Sequence, residues 1–397
     1  MHEARLPGPK LTDIAIIGGG VIGHAVAFRL LEREPDLSVT IFERDLTYRM
    51  ASSGLSVGGI RQQFGTAVNV AICRDSVAFY ANVTRHLGTS GEHVDIGFHQ
   101  NGYLFLATER SLPVFQARAE MARALGVPVE IVSAQRAAEI TPGLNLEGIA
   151  GASYCASDGY LDPHLVLMAF RQKAKALGAE LMEDEVTSVE IEAGRAVGVR
   201  THRQGTLAAG RVIVAAGGWT RPLLLPSGLD LPVRPYRRQV FVVQPRQPLQ
   251  DFIPLTIDPS GLHFRPETGG RLLVAHSLPS DGESLPLEFD RDAFTEHLWA
   301  PLAYRVPALE ELRLEHGWAG YYDDNAADHN AIVGAHPDVL GLYVITGFSG
   351  HGLMQCPAVS RGLAELILTG SFETLDLRPL RPERFLENDL ILEQAVI

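Results

Sequence analysis

The sequence predicts a mixed α/β chain, with parallel strands and helices in one part and an antiparallel sheet in another. Three observations predict it. Residues 14–23 read Ile14-Ala15-Ile16-Ile17-Gly18-Gly19-Gly20-Val21-Ile22-Gly23, an apolar run that ends in glycines and opens a helix. A second run of this kind, Arg211-Val212-Ile213-Val214-Ala215-Ala216-Gly217-Gly218-Trp219, follows much later. Short strand-like runs at 98–108, Gln239–Val243, Leu262–Arg265 and Arg271–His276 lack that pattern and read as a separate antiparallel sheet.

The first run carries the most chemistry. Asp13–Ile17 reads as a buried parallel strand. Gly18 permits the tight turn, Gly20 lets the backbone approach a pyrophosphate, and Gly23 lets the helix lie close to the strand. The helix Val21–Glu34, opened by Val21 and Ile22, points its positive N-terminus at phosphates. Val39–Phe42 is the second strand, and Glu43 at its end can accept from a ribose hydroxyl. Strand, glycines, helix, strand and acid in this order read as a Rossmann dinucleotide site. The competing reading is a glycine-rich turn without ligand.

Small residues recur at Ser52-Ser53-Gly54-Leu55-Ser56-Val57-Gly58-Gly59-Ile60-Arg61, either a ligand-contacting stretch with Arg61 as its cation or a flexible surface loop. Asn69–Leu87 reads as one helix and Val114–Leu125 as another. Asp162 before Pro163 caps a helix over His164–Leu177. Glu180-Leu181 and Val186–Ile191 are edge strands. The prolines Pro222, Pro226, Pro232 and Pro235 mark a crossing into the second part. Glu288–Val306 looks helical up to Pro307. Tyr343–Thr346 enters the glycine loop Gly347-Phe348-Ser349-Gly350-His351-Gly352-Leu353-Met354, with a helix expected from Ala358 to Leu368. The tail after Leu380 is expected to be peripheral.

Composition bounds the rest. The chain has 397 residues, 46% hydrophobic and 20% charged, with a net charge of −13. A charge of that sign argues against nucleic-acid binding. No run of apolar residues suits a membrane span. Met1–Pro7 lacks the apolar core of a secretory signal. Three widely spaced cysteines, Cys73, Cys155 and Cys356, suggest reduced thiols in the cytoplasm, and no metal-ligand spacing occurs.

Four motifs in order then resemble the D-amino acid oxidase / glycine and sarcosine oxidase family. They are the first glycine fingerprint, the serine-glycine loop with Arg61, the Ala215-Ala216-Gly217 strand end, and Gly347–Gly352. The resemblance implies a glutathione-reductase-like Rossmann FAD-binding domain plus an antiparallel-sheet α+β substrate domain. The first would comprise 11–88, 150–222 and 326–397, the second 89–149 and 223–325. It implies FAD and oxidation of the C–N bond of an amino acid or secondary amine (a D-amino acid, glycine, an N-methyl amino acid or an imino acid) by hydride transfer to flavin N5. Electrons would pass to O2, a quinone or another carrier.

By the same resemblance, Gly18, Gly20, Gly23, Glu43 and Arg44 hold the ADP half. Ser52, Ser53, Gly58, Gly59, Ile60 and Arg61 follow the pyrophosphate and flavin edge. Val186, Ala216, Gly217 and Trp219 line the adenine side. Gly347, Ser349, Gly350, His351, Gly352, Leu353 and Met354 pass the pyrimidine ring, with His351 contacting cofactor through its backbone or acting in acid/base chemistry. Sarcosine-type members carry a lysine where this chain has Met354, and a flavin-linked cysteine near Gly320-Tyr321, so FAD here is expected to be non-covalent. A lysine linked to oxygen activation would fall near Leu272, and its absence favours a dehydrogenase over an oxidase. Arg237 or Arg238 would grip the substrate carboxylate, unless the two are an exposed basic pair. His263, His276, Tyr321 and Tyr322 either face the substrate or pack in the core.

The stretch Gly58–Phe64 also resembles the FAD-dependent-oxidoreductase-domain proteins that assist assembly of respiratory complex I. That leaves a non-catalytic FAD-binding scaffold as an alternative, and an NAD-linked dehydrogenase as a further one.

Overall fold

The computed structural model describes residues 11–89, 91–250 and 252–395, so the Met1–Pro7 stretch lies outside it. Strand β1 (Leu11–Ile17) lies between β2 (Val39–Glu43) and β3 (Gly205–Val214), parallel to both. Ile14, Ala15 and Ile16 are wholly buried, as a strand covered on both faces requires. Glu180–Glu183 extends the sheet beyond β2, and Leu342–Thr346 beyond β3, again in parallel. Ile332–Ala335 closes that edge antiparallel, and Val186–Glu192 joins β3 through Arg195–Thr201.

Helices α1 (Val21–Arg33), α2 (Ala67–Ala81) and α3 (Gly352–Thr369) pack together under this sheet. The single helix expected over 69–87 is broken at Asn82, whose side-chain amide donates to the Ala78 carbonyl (2.9 Å) and competes with the helical ladder. Helix α3 begins at Gly352, well before the expected Ala358, with Pro357 inside it. Proline cannot donate to the Leu353 carbonyl four residues back. The buried Tyr80 hydroxyl supplies that donor at 2.7 Å, so α3 continues through Pro357. Asp162 accepts from the His164 and Leu165 N–H groups and caps Pro163–Ala176.

The second sheet is built on two long antiparallel strands, β4 (Val233–Pro245) and β5 (Leu312–Asn325). From β4 the order runs through Arg271–Ala275, His263–Glu267, Leu255–Ile257, Tyr103–Ala107 and Gly151–Cys155 to Glu130–Ser133. Leu255–Ile257 pairs with Tyr103–Ala107 in parallel, an exception in this sheet. Gly151–Cys155, assigned by sequence to the first domain, pairs with Tyr103–Ala107 and belongs here. One face packs Phe241, Val243 and Val274 against Leu298, Leu302 and Val306. The other sets Val240, Val242, Leu273 and Ala275 toward Val57 and Trp318. The helix expected over 288–306 starts several residues late: Asp290 accepts from the Asp292 and Ala293 N–H groups, and the helical turns Phe294–Leu298 and Trp299–Arg305 follow.

The tail is not peripheral. Arg384 is wholly buried and donates to both oxygens of buried Asp328, at 2.9 and 3.0 Å. Buried Glu393 accepts from the Gly65 and Thr66 N–H groups, the Thr66 hydroxyl and the Asn69 amide, at the N-terminus of α2. Its charge suits that end of the helix dipole. Charged composition misled the sequence reading, because two of the tail's charges, Arg384 and Glu393, have dedicated partners inside.

Breaking the buried pair by Asp328→Ala leaves Arg384 without its counter-charge and lowers the unfolding free energy by about 3–5 kcal/mol in denaturant titration. Arg381→Ala, which removes exposed pairs with Glu387 and Asp389, costs less than about 1 kcal/mol in the same assay.

Candidate active site

A cavity of about 440 Å3 opens at the C-terminal ends of the parallel strands. Ile17, Phe42, Ala215 and Ile345 form its floor, at or just beyond the ends of β1, β2, β3 and Leu342–Thr346. Open parallel sheets bind ligands at this position, where the connections diverge to opposite sides. The second sheet roofs it with Arg238, His263, His276 and the end of β5.

The glycines divide the work. A Cβ on residue 23 would sit 1.9 Å from the Gly18 carbonyl, and one on residue 18, with φ +104°, would sit 2.3 Å from the Ala215 carbonyl. Both are backbone, so neither can yield cheaply. Gly20 instead faces the cavity, with the Ser53 hydroxyl 3.5 Å from its would-be Cβ. Val21 donates its N–H to that hydroxyl at 3.2 Å, and Ile22 lines the wall. Gly23 lies behind the wall. Glu43 lines the cavity while accepting from Gly19 N–H (2.9 Å) and Asp45 N–H (3.1 Å), and burial raises its affinity for a proton. The Arg44 guanidinium lies 3.9 Å from the centre of the Trp219 ring, and these two with Val186, Ala216 and Gly217 make the adjoining wall.

Ser52 and Ser53 line the cavity, followed by Leu55, Ser56 and Val57. Arg265 holds the Val57 carbonyl (2.7 Å) and Trp318 the Leu55 carbonyl (2.8 Å), so this segment is pinned to the roof rather than being a flexible loop. Gly58, Gly59, Ile60 and Arg61 do not line it, contrary to expectation. A Cβ on Gly58 would sit 2.2 Å from the Leu161 carbonyl, and one on Gly59 would sit 2.7 Å from the Tyr103 hydroxyl; both glycines serve packing. Arg61 is wholly buried, donates to the Gln63 and Ala395 carbonyls and stacks over Phe64. Its charge is spent on the C-terminal tail.

Gly350, Gly352 and Leu353 reach the cavity, whereas Gly347, Ser349, His351 and Met354 do not. Gly347 and Ser349 shape the loop: both have positive φ, and the Ser349 hydroxyl accepts from Asn325 N–H at 3.0 Å. Met354 packs in the core. The His351 Nε2 lies 3.2 Å from an Arg61 nitrogen. Arginine only donates, so this nitrogen accepts and the ring is neutral. Burial, with Arg61 beside it, pushes its pKa down to about 3. His351 is therefore a tie between the loop and Arg61, not an acid or base.

In the roof, alternation along β4 separates the arginine pair. Arg238 faces the cavity, contacts Asp281 at 3.3 Å and lies 5.6 Å from the Tyr322 ring; its buried Nε has no partner among the described residues. Arg237 points the other way, into the carbonyls of Ser280 and Pro286. His263 lines the cavity, donates Nδ1–H to the Gly261 carbonyl (3.0 Å) and is pushed down to about 4 by burial. His276 is likewise lowered by burial. Tyr321 stands 5.5 Å from Trp219 and donates to the Leu285 carbonyl, while Tyr322 packs under Gly350. Asp323, Asp184, Tyr48 and Met50 line the cavity as well and were not singled out from sequence. Three acids crowd the six residues Asp323–Asp328, and of these the structure brings Asp323 to the cavity lining.

These features define a dinucleotide-binding oxidoreductase with a roofed site. The family model described as FAD dependent oxidoreductase (DAO) matches residues 13–366, and the chain belongs to that family. FAD-dependent oxidoreductase domain-containing protein 1 of Xenopus laevis is 38% identical over 98% of this chain and 85% of its own length. Glycine oxidase of Geobacillus kaustophilus is 30% identical over 89% of this chain and 92% of its own. The crystal structure of L-proline dehydrogenase from P. horikoshii superposes with a TM-score of 0.85 at 29% identity, covering 96% of this chain and 100% of that one. The cofactor is thus FAD, and the NAD-linked alternative falls. The residues fit it: Gly20 leaves room that a Cβ would fill, Glu43 lines the cavity at the end of β2, and the N-terminus of α1 opens on the same space.

Gly23→Ala must displace the Gly18 carbonyl and lowers stability by about 1–3 kcal/mol. Gly20→Ala leaves the melting temperature of the FAD-free protein unchanged and weakens FAD binding, read by flavin fluorescence. His24 and His351 are both held neutral, with pKa values of about 3 through burial. The unfolded chain protonates them near their ordinary 6.5, so each contributes stability at neutral pH that is lost as pH falls below that value. Denaturant unfolding in the range of about pH 5–6.5 loses about 1 kcal/mol less per pH unit in His351→Asn than in the parent protein.

Proposed function

We propose that this enzyme oxidises the C–N bond of an amino acid or secondary amine, with Arg238 gripping the substrate carboxylate. The observation that carries this reading is Arg238 itself: a cavity-facing guanidinium in the roof above the FAD site, with one contact to Asp281 and a buried Nε left without a partner. A planar guanidinium suits a carboxylate through paired hydrogen bonds. Relatives whose names specify glycine oxidase and L-proline dehydrogenase support the same substrate class.

FAD supplies the acceptor for a hydride from the carbon next to nitrogen. The chain binds the substrate, orients that carbon and excludes water. Tyr322 and His263 border the space beside Arg238, and the lowered pKa of His263 keeps it an uncharged wall at neutral pH. The backbone between Gly350 and Leu353 opens α3 toward the cavity, which favours negative charge developing there. The scaffold alternative draws no support from the segment that suggested it. Ile60, Arg61 and Phe64 are wholly buried, and Gln62 and Gln63 nearly so, so Gly58–Phe64 offers no docking surface.

The test is anaerobic mixing of the FAD-loaded protein with D-amino acids, N-methyl amino acids and imino acids. Bleaching of the flavin by at least one member is expected; a flavin that stays oxidised throughout rejects the reading. Arg238→Ala weakens carboxylate binding by about 2–5 kcal/mol, while Arg237→Ala leaves it unchanged, both read by ligand titration of the flavin spectrum.

A further inference from the structure

Arg238 is held from outside the cavity by a second side chain. Asp281 contacts its Nη1 at 3.3 Å; the Asp281 side chain is wholly buried and does not line the cavity. The guanidinium also lies 4.7 Å from the centre of the Tyr236 ring and 5.6 Å from that of Tyr322. Tyr236 stands two residues earlier on the same face of β4, and Tyr322 stands in register opposite it on β5. Two rings and one carboxylate thus fix the cation. Its Nε and Nη2 have no hydrogen-bond partner among the described residues.

Backbone geometry places Asp281 before any ligand arrives. Leu278–Asp281 form a tight turn: the Asp281 N–H donates to the Leu278 carbonyl (3.1 Å), and the Asp281 carboxylate accepts the Leu278 N–H in return (3.0 Å). Pro279 takes the second position of that turn, which its fixed φ suits. Gly282 and Glu283 then pair with β4 at Arg237 and Tyr236, and the Ser284 N–H donates to the Pro235 carbonyl at 2.7 Å. The turn is stitched to the strand that carries Arg238.

Stability does not account for this contact, since a buried ion pair adds little even when fully bonded. Here Oδ1 of Asp281 is buried without a partner, and Oδ2 is shared between Arg238 and the Leu278 N–H. What the contact supplies is direction. With Nη1 taken and rings beside it, the guanidinium keeps its Nε–Nη2 edge for a planar partner.

We propose that Asp281 is the positioning residue of the substrate site: it holds Nη1 of Arg238 so that the Nε–Nη2 edge meets the substrate carboxylate with two parallel hydrogen bonds. This rests on the carboxylate-gripping role given to Arg238 above and adds the residue that aims it. Asp281 acts as an acceptor at a fixed place, so an amide of the same shape does its work. The two donors that converge on Oδ2 keep the oxygen of an asparagine turned toward them.

The test measures propanoate and propanamide, a carboxylate and its uncharged counterpart of one shape, on the FAD-loaded protein by perturbation of the flavin absorption spectrum. Asp281→Ala should weaken propanoate by about tenfold or more, the worth of one charge-assisted hydrogen bond, and leave propanamide within about threefold. Asp281→Asn should stay within about threefold of the unmodified protein for both ligands. An alanine variant that binds propanoate as well as the unmodified protein overturns the proposal, as does an asparagine variant as weak as alanine or an equal loss of both ligands. A crystal structure of the unmodified protein with FAD and propanoate needs no variant to fold. The propanoate oxygens should lie on Nε and Nη2, with Asp281 still on Nη1. Propanoate that displaces Asp281, or that binds away from Arg238, overturns the proposal. If no amine bleaches the flavin while propanoate binding still follows Asp281, the amine-oxidising reading falls and the positioning role stands. Flavin reduction by an amine, with propanoate indifferent to Asp281, does the reverse.

Discussion

The carbonyl of Gly18 occupies the space that a Cβ on residue 23 would need, and the Ala215 carbonyl does the same to residue 18. These two backbone contacts set α1 against β1 and set β1's turn against the end of β3. The N-terminus of α1, the Glu43 carboxylate and the Ala216-Gly217 turn come together at one mouth because those contacts are short. Any side chain at either glycine moves backbone rather than a rotamer, and interiors packed at crystal density transmit such a shift. The cavity floor is thus a consequence of main-chain geometry, and its side chains are secondary to it.

The roof is held to that floor by a few polar ties. Arg265 and Trp318 grip the carbonyls of Val57 and Leu55, so the segment after Ser53 cannot swing away from the second sheet. At the far end, the Ser349 N–H and hydroxyl bond Asp323 and Asn325 of β5. Arg61 ties the flavin loop, through His351, to the C-terminal tail. The tail is anchored in turn by Glu393 at the start of α2 and by Arg384 on Asp328. Charged residues that look like solvent-facing decoration in the sequence are the fasteners between layers here.

The parts legible in the sequence are those that backbone chemistry dictates. The glycine fingerprint, the acid-ended β2 and the Asp162 cap each follow from local rules, and the structure places them as expected, whereas the glycine loop meets the cavity only at its Gly350–Leu353 end. What was not legible depends on a distant partner. Pro357 argues against a helix until Tyr80, far away in sequence, supplies the missing donor to Leu353. Arg61 reads as a ligand cation until the tail consumes its hydrogen bonds. Arg237 and Arg238 are equivalent by composition, and only the facing of β4 separates them. Asp323 is one acid among three, and only the fold shows that it is the one at the cavity lining.

That separation of charges gives the site its character. Burial has made its histidines neutral: His263, at about 4, contributes shape rather than charge. Tyr322 is pushed further from ionisation by the same burial. Of the two roof arginines, Arg238 alone faces the cavity, where it contacts Asp281. A guanidinium in a dry cavity adds little affinity for a neutral compound. Its effect is directional, because a carboxylate meets its planar donors in a defined orientation. Orientation is what hydride transfer demands of the protein, since the cofactor performs the bond change and the chain decides which carbon is presented to it.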